Sequence, residues 1–233
     1  MTLKDIQNKL YENLKDSGWA PVLKMFILSK DFLSILETLY EDSQKGKSFT
    51  PVIKDLFKPF QECHYNDLKV VIINHSPYPQ AGEADGMAFS CSHTKKEQPQ
   101  LKCIFEEIGN TVYPGQFVKH DPDLTRLSNQ GVLMLNAAMT TTIGSTDPHE
   151  KLWEPFTAYL LDMLTTYNSK IIYVFLGQAS KKWNKSISNM NYKFFASHPV
   201  SGTYRKDNKW DSGDLFNQIN NVLEKEFNTP IKW

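Results

Sequence analysis

The 233-residue sequence lacks an excess of charge of either sign, because 26 basic and 26 acidic residues cancel. Such a chain has no global field that attracts polyanions, which counts against a tight, non-specific nucleic-acid binder. Cysteine is scarce, with only three residues, at positions 63, 91 and 103, and no C-x-x-C pair. This spacing indicates neither a disulfide framework nor a zinc or iron–sulfur site, and we expect no metal or other cofactor.

Long apolar segments are also missing. The run at 171–176 is among the longest, and it is far too short to cross a bilayer. The first sixteen residues carry charges throughout, unlike a secretory signal. We therefore expect an intracellular protein, in the cytoplasm or nucleus, with no membrane partner. The length and the 40% hydrophobic content predict a single domain over 1–233.

Apolar residues follow two alternating spacings along the chain. Short runs of apolar residues predict four strands, at 70–73, 131–136, 171–176 and 192–196, of which we expect the first two to be buried. Helical spacing predicts helices before and between these strands, including 32–42 with Asp31 as its cap, 52–60 and 153–167. The alternation predicts an α/β fold with a central, mostly parallel four-stranded sheet flanked by helices.

Polar side chains follow three of the predicted strands, in the loop Ser76–Tyr78, at Asn136 and at His198. Because carboxyl ends of parallel strands lie at one edge of a sheet, we expect these residues to meet. An amide can donate and accept hydrogen bonds at once, and an imidazole can bond a carbonyl oxygen that gains negative charge. With the rings of Tyr78 and Phe89, these groups suit a small flat heterocycle.

A local surplus of positive charge lies between Lys181 and Trp210. This segment has one acidic residue, Asp207, and a net charge of +6, and its basic residues are Lys181, Lys182, Lys185, Lys193, Arg205, Lys206 and Lys209. Two interpretations remain open, namely an ordinary solvated face and a surface that faces phosphates.

Several ordered motifs carry a resemblance to a known family. Residues 74–90 align without gaps with G-Q-D-P-Y-H and the Q-A-H-G-L-A-F-S-like segment after it. The motifs L-L-L-N, W-E-x-F-T, H-P-S-P-L-S and P-I-x-W match residues 133–136, 153–157, 198–203 and 230–233. Over nearly its whole length the sequence resembles the family 1 uracil-DNA glycosylases. The resemblance implies their fold and an enzyme that flips deoxyuridine out of DNA and hydrolyses its N-glycosidic bond.

The resemblance also implies a uracil pocket. Phe89 would stack on the base, Asn136 would read its Watson–Crick edge, and Tyr78 would exclude the methyl group of thymine. His198 would hydrogen-bond uracil O2, the oxygen that gains charge as the base leaves. His75 replaces a pocket Gln whose contribution in the family is largely made by its main chain.

The departures from the family affect residues that would serve hydrolysis and residues that would distort DNA. Ser76 replaces the carboxylate that positions water, and a neutral hydroxyl cannot stabilise a cationic transition state. The segment 98–101 reads Q-P-Q-L in place of P-P-S-L, which removes a hydroxyl that grips phosphate. Gly202 replaces the Leu wedge that fills the gap left by the flipped base. Pro79 replaces a His, as it does in poxviral relatives, and Leu176 replaces a Trp.

The predicted DNA contacts are Pro99, Gln100, Ser201, Gly202, Tyr204 and Arg205. The first hypothesis is a uracil-recognising protein with strongly impaired hydrolysis, which acts as a DNA-binding or polymerase-accessory factor and prefers single-stranded DNA because no base pair has to open. The second is an active glycosylase of base-excision repair, slow or specialised for an altered base. The third is a decoy for glycosylase inhibitor proteins, which the missing wedge disfavours. A viral or phage origin would suit such a degenerate copy.

Overall fold

A computed structural model describes residues 2–145, 149–205 and 209–233 of the chain. Lys206 and Asp207 of the basic segment lie outside the described residues. In chain order the strands are β1 Phe49–Thr50, β2 Val70–Asn74, β3 Val132–Asn136, β4 Thr141–Thr142, β5 Ile172–Leu176 and β6 Tyr192–Ala196. The helices are α1 Leu3–Glu12, α2 Ala20–Ile27, α3 Lys30–Gln44, α4 Lys58–Glu62, α5 Pro99–Thr111, α6 Thr125–Ser128, α7 Glu150–Tyr167, α8 Gln178–Lys181, α9 Val200–Thr203 and α10 Leu215–Phe227.

The centre of the molecule is a parallel four-stranded sheet with the strand order β3–β2–β5–β6. Strands β2, β3 and β5 are buried along their whole length, as expected when helices cover both faces. The short strands β1 and β4 form a separate antiparallel pair. The predicted α/β architecture with a parallel four-stranded sheet is confirmed.

Side chains alternate between two hydrophobic cores, because successive strand residues point to opposite faces of a sheet. Val71 and Ile73 of β2 face the core formed with α1, α2, α3 and α7. Val70 and Ile72 face the second core, which contains residues of α5 and α10. The in-register partners Asn74 and Asn136 lie at the carboxyl ends of β2 and β3, so their side chains leave the sheet on the same face.

Two local predictions are wrong in detail. Ser29, and not Asp31, caps α3, since its hydroxyl accepts a hydrogen bond from the backbone N–H of Phe32 at 3.2 Å. Asp31 lies in the first turn, where its charge suits the helix dipole. Residues 52–60 form a short 3-10 turn, Ile53–Asp55, followed by α4. Pro59 lies in the first turn of α4. Proline disfavours a helical backbone at the residue before it, so one continuous helix over 52–60 does not form.

The described residues contain no helix that is long and apolar enough to cross a membrane. The three cysteines are free and buried. Within 2–145, 149–205 and 209–233, no group of three His, Cys, Asp or Glu side chains is placed to hold a metal ion.

Candidate active site

A cleft of about 960 Å³ opens at the carboxyl edge of the parallel sheet. Among the residues that line it are eight of those predicted from sequence, namely His75, Ser76, Tyr78, Phe89, Pro99, Gln100, His198 and Tyr204. Asn136 does not line the cleft and is only 2% exposed. The residue in front of it is Asn74, which lines the cleft and which the sequence analysis did not select.

Asn74 joins the two predicted base-reading residues. Its Nδ2 lies 2.8 Å from Oδ1 of Asn136, and its Oδ1 lies 3.0 Å from Nε2 of His198. The same Nδ2 donates to the backbone carbonyl of Ser76 at 2.9 Å. The alignment contained a signal for Asn74. It stands at the first position of the G-Q-D-P-Y-H motif, where the family has a glycine and therefore no side chain.

Backbone groups determine which end of each amide points where. Nδ2 of Asn74 faces the carbonyl of Ser76, and Nδ2 of Asn136 faces the carbonyl of Gly86 at 3.5 Å; a carbonyl can only accept. Oδ1 of Asn136 therefore accepts from Asn74, and Oδ1 of Asn74 faces His198. The chain of hydrogen bonds is complete, and each group has a compatible partner.

His198 is a neutral donor in this arrangement. Its Nδ1 accepts a hydrogen bond from the backbone N–H of Val200 at 3.1 Å, so the ring proton is on Nε2. Burial, followed by the charge of nearby His75, lowers the pKa of His198 to about 4. A Cβ at Gly177 would lie 2.9 Å from Cβ of His198, so only glycine fits at this close approach after β5. A neutral Nε2–H can stabilise a carbonyl oxygen that gains negative charge.

Phe89 and Tyr78 form the aromatic wall of the cleft. Phe89 has a φ of +63°, a left-handed conformation that is rare for a bulky residue and is common at functional sites. The hydroxyl of Tyr78 donates to the Phe89 carbonyl at 2.9 Å, and burial raises the pKa of that hydroxyl. The ring centroids of Phe89 and His198 are 5.8 Å apart.

A buried carboxylate, Asp85, holds the loop that carries Phe89. Asp85 is fully buried and accepts from Nζ of Lys58 at 3.0 Å and from Oγ of Ser90 at 2.7 Å. It also accepts from the backbone N–H groups of Met87 at 3.1 Å and Ser92 at 3.0 Å. Burial alone would raise the pKa of Asp85, but the hydrogen bonds from Ser92 and Ser90 and the charge of Lys58 lower it.

One imidazole–carboxylate pair lies beside Ser76. Nε2 of His75 is 3.0 Å from Glu150, and the other oxygen of Glu150 pairs with Lys182. The contacts with Lys182 and His75 lower the pKa of Glu150. Lys182, which belongs to the basic segment, is thus engaged within the molecule. Nζ of Lys193 likewise bonds the backbone carbonyl of Ile187 at 2.8 Å.

The predicted DNA contacts differ in exposure. Tyr204 is 82% exposed, and Arg205 and Pro99 are also exposed. Gln100 and Ser201 are half-buried. Gly202 is buried in α9, where a Cβ would lie 2.8 Å from the backbone nitrogen of Trp210 and 3.0 Å from Sγ of Cys103. The assignment of Gly202 to DNA contact stays a prediction, and its burial does not favour it.

The parallel sheet and the polar cleft at the ends of its strands define the class, an α/β protein with a candidate site at the carboxyl edge of its sheet. Comparison with models of known families gave no match. A uracil-DNA glycosylase from Mesomycoplasma hyopneumoniae is 35% identical over 204 residues, which cover 87% of this chain and 90% of the relative. One from Buchnera aphidicola is 30% identical over 219 residues, which cover 93% and 97%.

Solved structures agree with these relatives. Mimivirus uracil-DNA glycosylase superposes with a TM-score of 0.81 at 25% identity, covering 94% of this chain and 88% of that one. A mimivirus UNG variant in complex with UGI has a TM-score of 0.82 at 25% identity, covering 94% and 90%. The chain belongs to the uracil-DNA glycosylase family.

Proposed function

We propose that the chain is a divergent family 1 glycosylase that recognises uracil in DNA but hydrolyses the N-glycosidic bond very slowly. The observation that carries the proposal is Ser76. It lines the cleft beside His75, in the loop braced by Asn74, and offers a neutral hydroxyl where the aligned motif has a carboxylate. Asn136 and His198 match the family motifs, and His198 lines the same cleft.

The missing charge has a large expected effect on rate. Removing one preorganised electrostatic group from an active site typically costs about 3–4 kcal/mol, or about 100- to 1,000-fold in rate. A serine hydroxyl can still hold a water molecule, so binding and positioning are less affected than charge stabilisation. We therefore infer that the chain still binds uracil in DNA although it hydrolyses the bond slowly, in keeping with a DNA-binding or accessory role.

A second candidate is a slow, active glycosylase, and the His75–Glu150 pair favours it. An imidazole that is held by a carboxylate can accept a proton from water. However, Glu150 also pairs with Lys182, so it brings little net negative charge to the cleft. A decoy role is supported only by the likeness to the UGI-bound mimivirus protein. The lack of room for a wedge at Gly202 counts against it.

The test is cleavage of a uracil-containing single-stranded oligonucleotide, followed on denaturing gels. We expect Ser76→Asp to raise the rate of the native chain about 10- to 1,000-fold, because it returns a negative charge to the site. Ser76→Asn is the matched control, since it has similar size without charge, and it should leave the rate low. Cleavage by the native chain as fast as that of the Mesomycoplasma enzyme would overturn the proposal. Loss of residual cleavage in His75→Gln and Glu150→Gln would favour the second candidate.

A further inference from the structure

We propose that the carboxamide of Asn74 is an internal occupant of the base-reading site, and that uracil has to displace it. The inference rests on the proposed function, because it takes Asn136 and His198 as the groups that bind the base. It adds a residue that sets the affinity of the site, and that residue belongs to the strand and not to the loop after it.

The hydrogen bonds of Asn74 reproduce one edge of a uracil ring. Uracil presents an N–H next to a carbonyl, at N3 and C2, and a primary amide presents the same donor and acceptor side by side. In the structure the amide donor faces Oδ1 of Asn136 at 2.8 Å, and the amide acceptor faces Nε2 of His198 at 3.0 Å. These are the two contacts that the ring itself would make.

The position of Asn74 also blocks access. Both amides are buried, Asn74 at 5% and Asn136 at 2% exposed, but Asn74 lines the cleft and Asn136 does not. The second polar group of Asn136, Nδ2, is turned to the carbonyl of Gly86 at 3.5 Å. A base that enters the cleft thus meets the Asn74 amide before it can reach Asn136, and it gains the Asn136 and His198 bonds only when that amide leaves.

The occupant follows from the strand register. Asn74 and Asn136 are paired residues of β2 and β3, so their side chains project from the same face at neighbouring positions. An asparagine at this register position reaches across the strand pair, while the glycine of the aligned motif has nothing to place there. The blocked site is therefore encoded by one residue.

A purely structural role for Asn74 predicts the opposite change in uracil affinity when its side chain is removed. Nδ2 of Asn74 also donates to the Ser76 carbonyl at 2.9 Å and so braces the loop after β2. If bracing were its only role, loss of the side chain would loosen the loop and weaken binding. If Asn74 competes with the base, its loss strengthens binding, because a site that is open only part of the time binds with its affinity reduced by the open fraction.

The experiment is calorimetric titration of the full chain with free uracil, with thymine as the control ligand. We expect Asn74→Gly and Asn74→Ala to bind uracil about 10- to 100-fold more tightly than the native chain, which corresponds to two competing hydrogen bonds. Asn191→Ala is the matched control. It removes another buried asparagine that bonds backbone carbonyls, those of Asn168 at 3.0 Å and Ile171 at 3.1 Å, next to the first residue of β6. Its uracil affinity should equal that of the native chain.

Two outcomes separate this inference from the proposed function. If neither Asn74 variant binds uracil more tightly than the native chain, while Asn136→Ala weakens native binding, the inference is wrong and the proposed function stands. If Asn136→Ala leaves uracil binding unchanged in the native and Asn74→Ala backgrounds, the proposed function is wrong and the inference is wrong with it. Thermal melting of each variant, with Asn74→Ala as the milder change, confirms that folded proteins are compared.

Discussion

The floor and the rim of the cleft are built in different ways. The pocket floor is here Asn74, His198 and Phe89, together with Asn136 behind Asn74, and it lies at or near the ends of the sheet strands or on a loop after β2. The cleft rim, here residues 99–100 and 200–205, consists of the first turn of α5 and the short helix α9 with the residues after it. The residues predicted to bind a base lie on the floor, whereas most of the residues predicted to contact DNA lie on the rim.

The difference is one of hydrogen bonding and burial. Each polar floor side chain has two or more partners within the protein, and Phe89 is held by the loop that Asp85 braces. On the rim, Tyr204 is 82% exposed, and the hydroxyl of Ser201 donates to the hydroxyl of Ser197 at 3.2 Å. Substitution on the floor therefore disturbs several bonds at once, whereas truncation of the exposed Tyr204 ring removes little packing.

The largest effect should come from the floor residue Asn136. We expect Asn136→Ala to weaken binding of a uracil-containing single-stranded oligonucleotide about 100-fold or more, because it removes the predicted edge-reading amide and leaves polar groups unpaired. Fluorescence anisotropy measures the change, and Asn191→Ala is the control. Equal affinity of the native chain for thymine-containing and uracil-containing oligonucleotides would contradict a floor that reads uracil.

On the rim, Gly202 tests whether the family residue can be restored. We expect Gly202→Leu to lower the free energy of unfolding by about 1–3 kcal/mol, because the side chain would collide with Trp210 and Cys103. Urea denaturation measures it. Gly109→Ala is the control in α5, where a Cβ meets only Val118 at 3.6 Å, and it should be neutral or stabilising. An undiminished stability with improved duplex binding would show that the rim accepts a wedge.

Protonation of His198 should lower the free energy of unfolding in mild acid. The pKa of His198 is lowered from 6.5 to about 4, so the unfolded chain binds more protons than the folded chain between these values. The contribution of neutral His198 to the free energy of unfolding is complete above pH 6.5 and is lost as the pH falls toward 4. Allowing for partial exposure, we expect about 1–2 kcal/mol. The slope of unfolding free energy against pH should be smaller in His198→Gln, and an unchanged slope would contradict this view.

Tyr204 should give the smallest effect. An exposed aromatic ring at the rim can stack on an unpaired base, a contact worth at least about 1 kcal/mol. We expect Tyr204→Ala to weaken single-stranded DNA binding about fivefold, whether the strand contains uracil or thymine. Tyr167→Ala removes another exposed tyrosine, at the end of α7, and should change nothing. A loss confined to uracil-containing strands would instead assign Tyr204 to the floor.

Sequence patterns predicted the four strands of the parallel sheet well, because apolar runs are a local property of the sequence, but they did not predict the short pair β1 and β4. The convergence of Tyr78, Phe89 and His198 was also predictable, since parallel strand ends meet at one edge. Asn74 was missed because its importance depends on the register between β2 and β3, which are about sixty residues apart in the chain. The burial of Gly202 depends in the same way on the packing of Trp210, which no local pattern reports.

The four donors around Asp85 also have a mechanical consequence. Three of them, from Met87, Ser90 and Ser92, belong to the loop itself, and the fourth is Lys58 at the start of α4. Swinging this loop outward would carry those three donors along but would separate Asp85 from Lys58, and breaking such a buried ion pair costs about 3–5 kcal/mol. The loop that carries Phe89 is therefore held in place against outward movement. Any widening of the cleft would fall to other parts of its lining, such as Gln178, Val200 and Thr203.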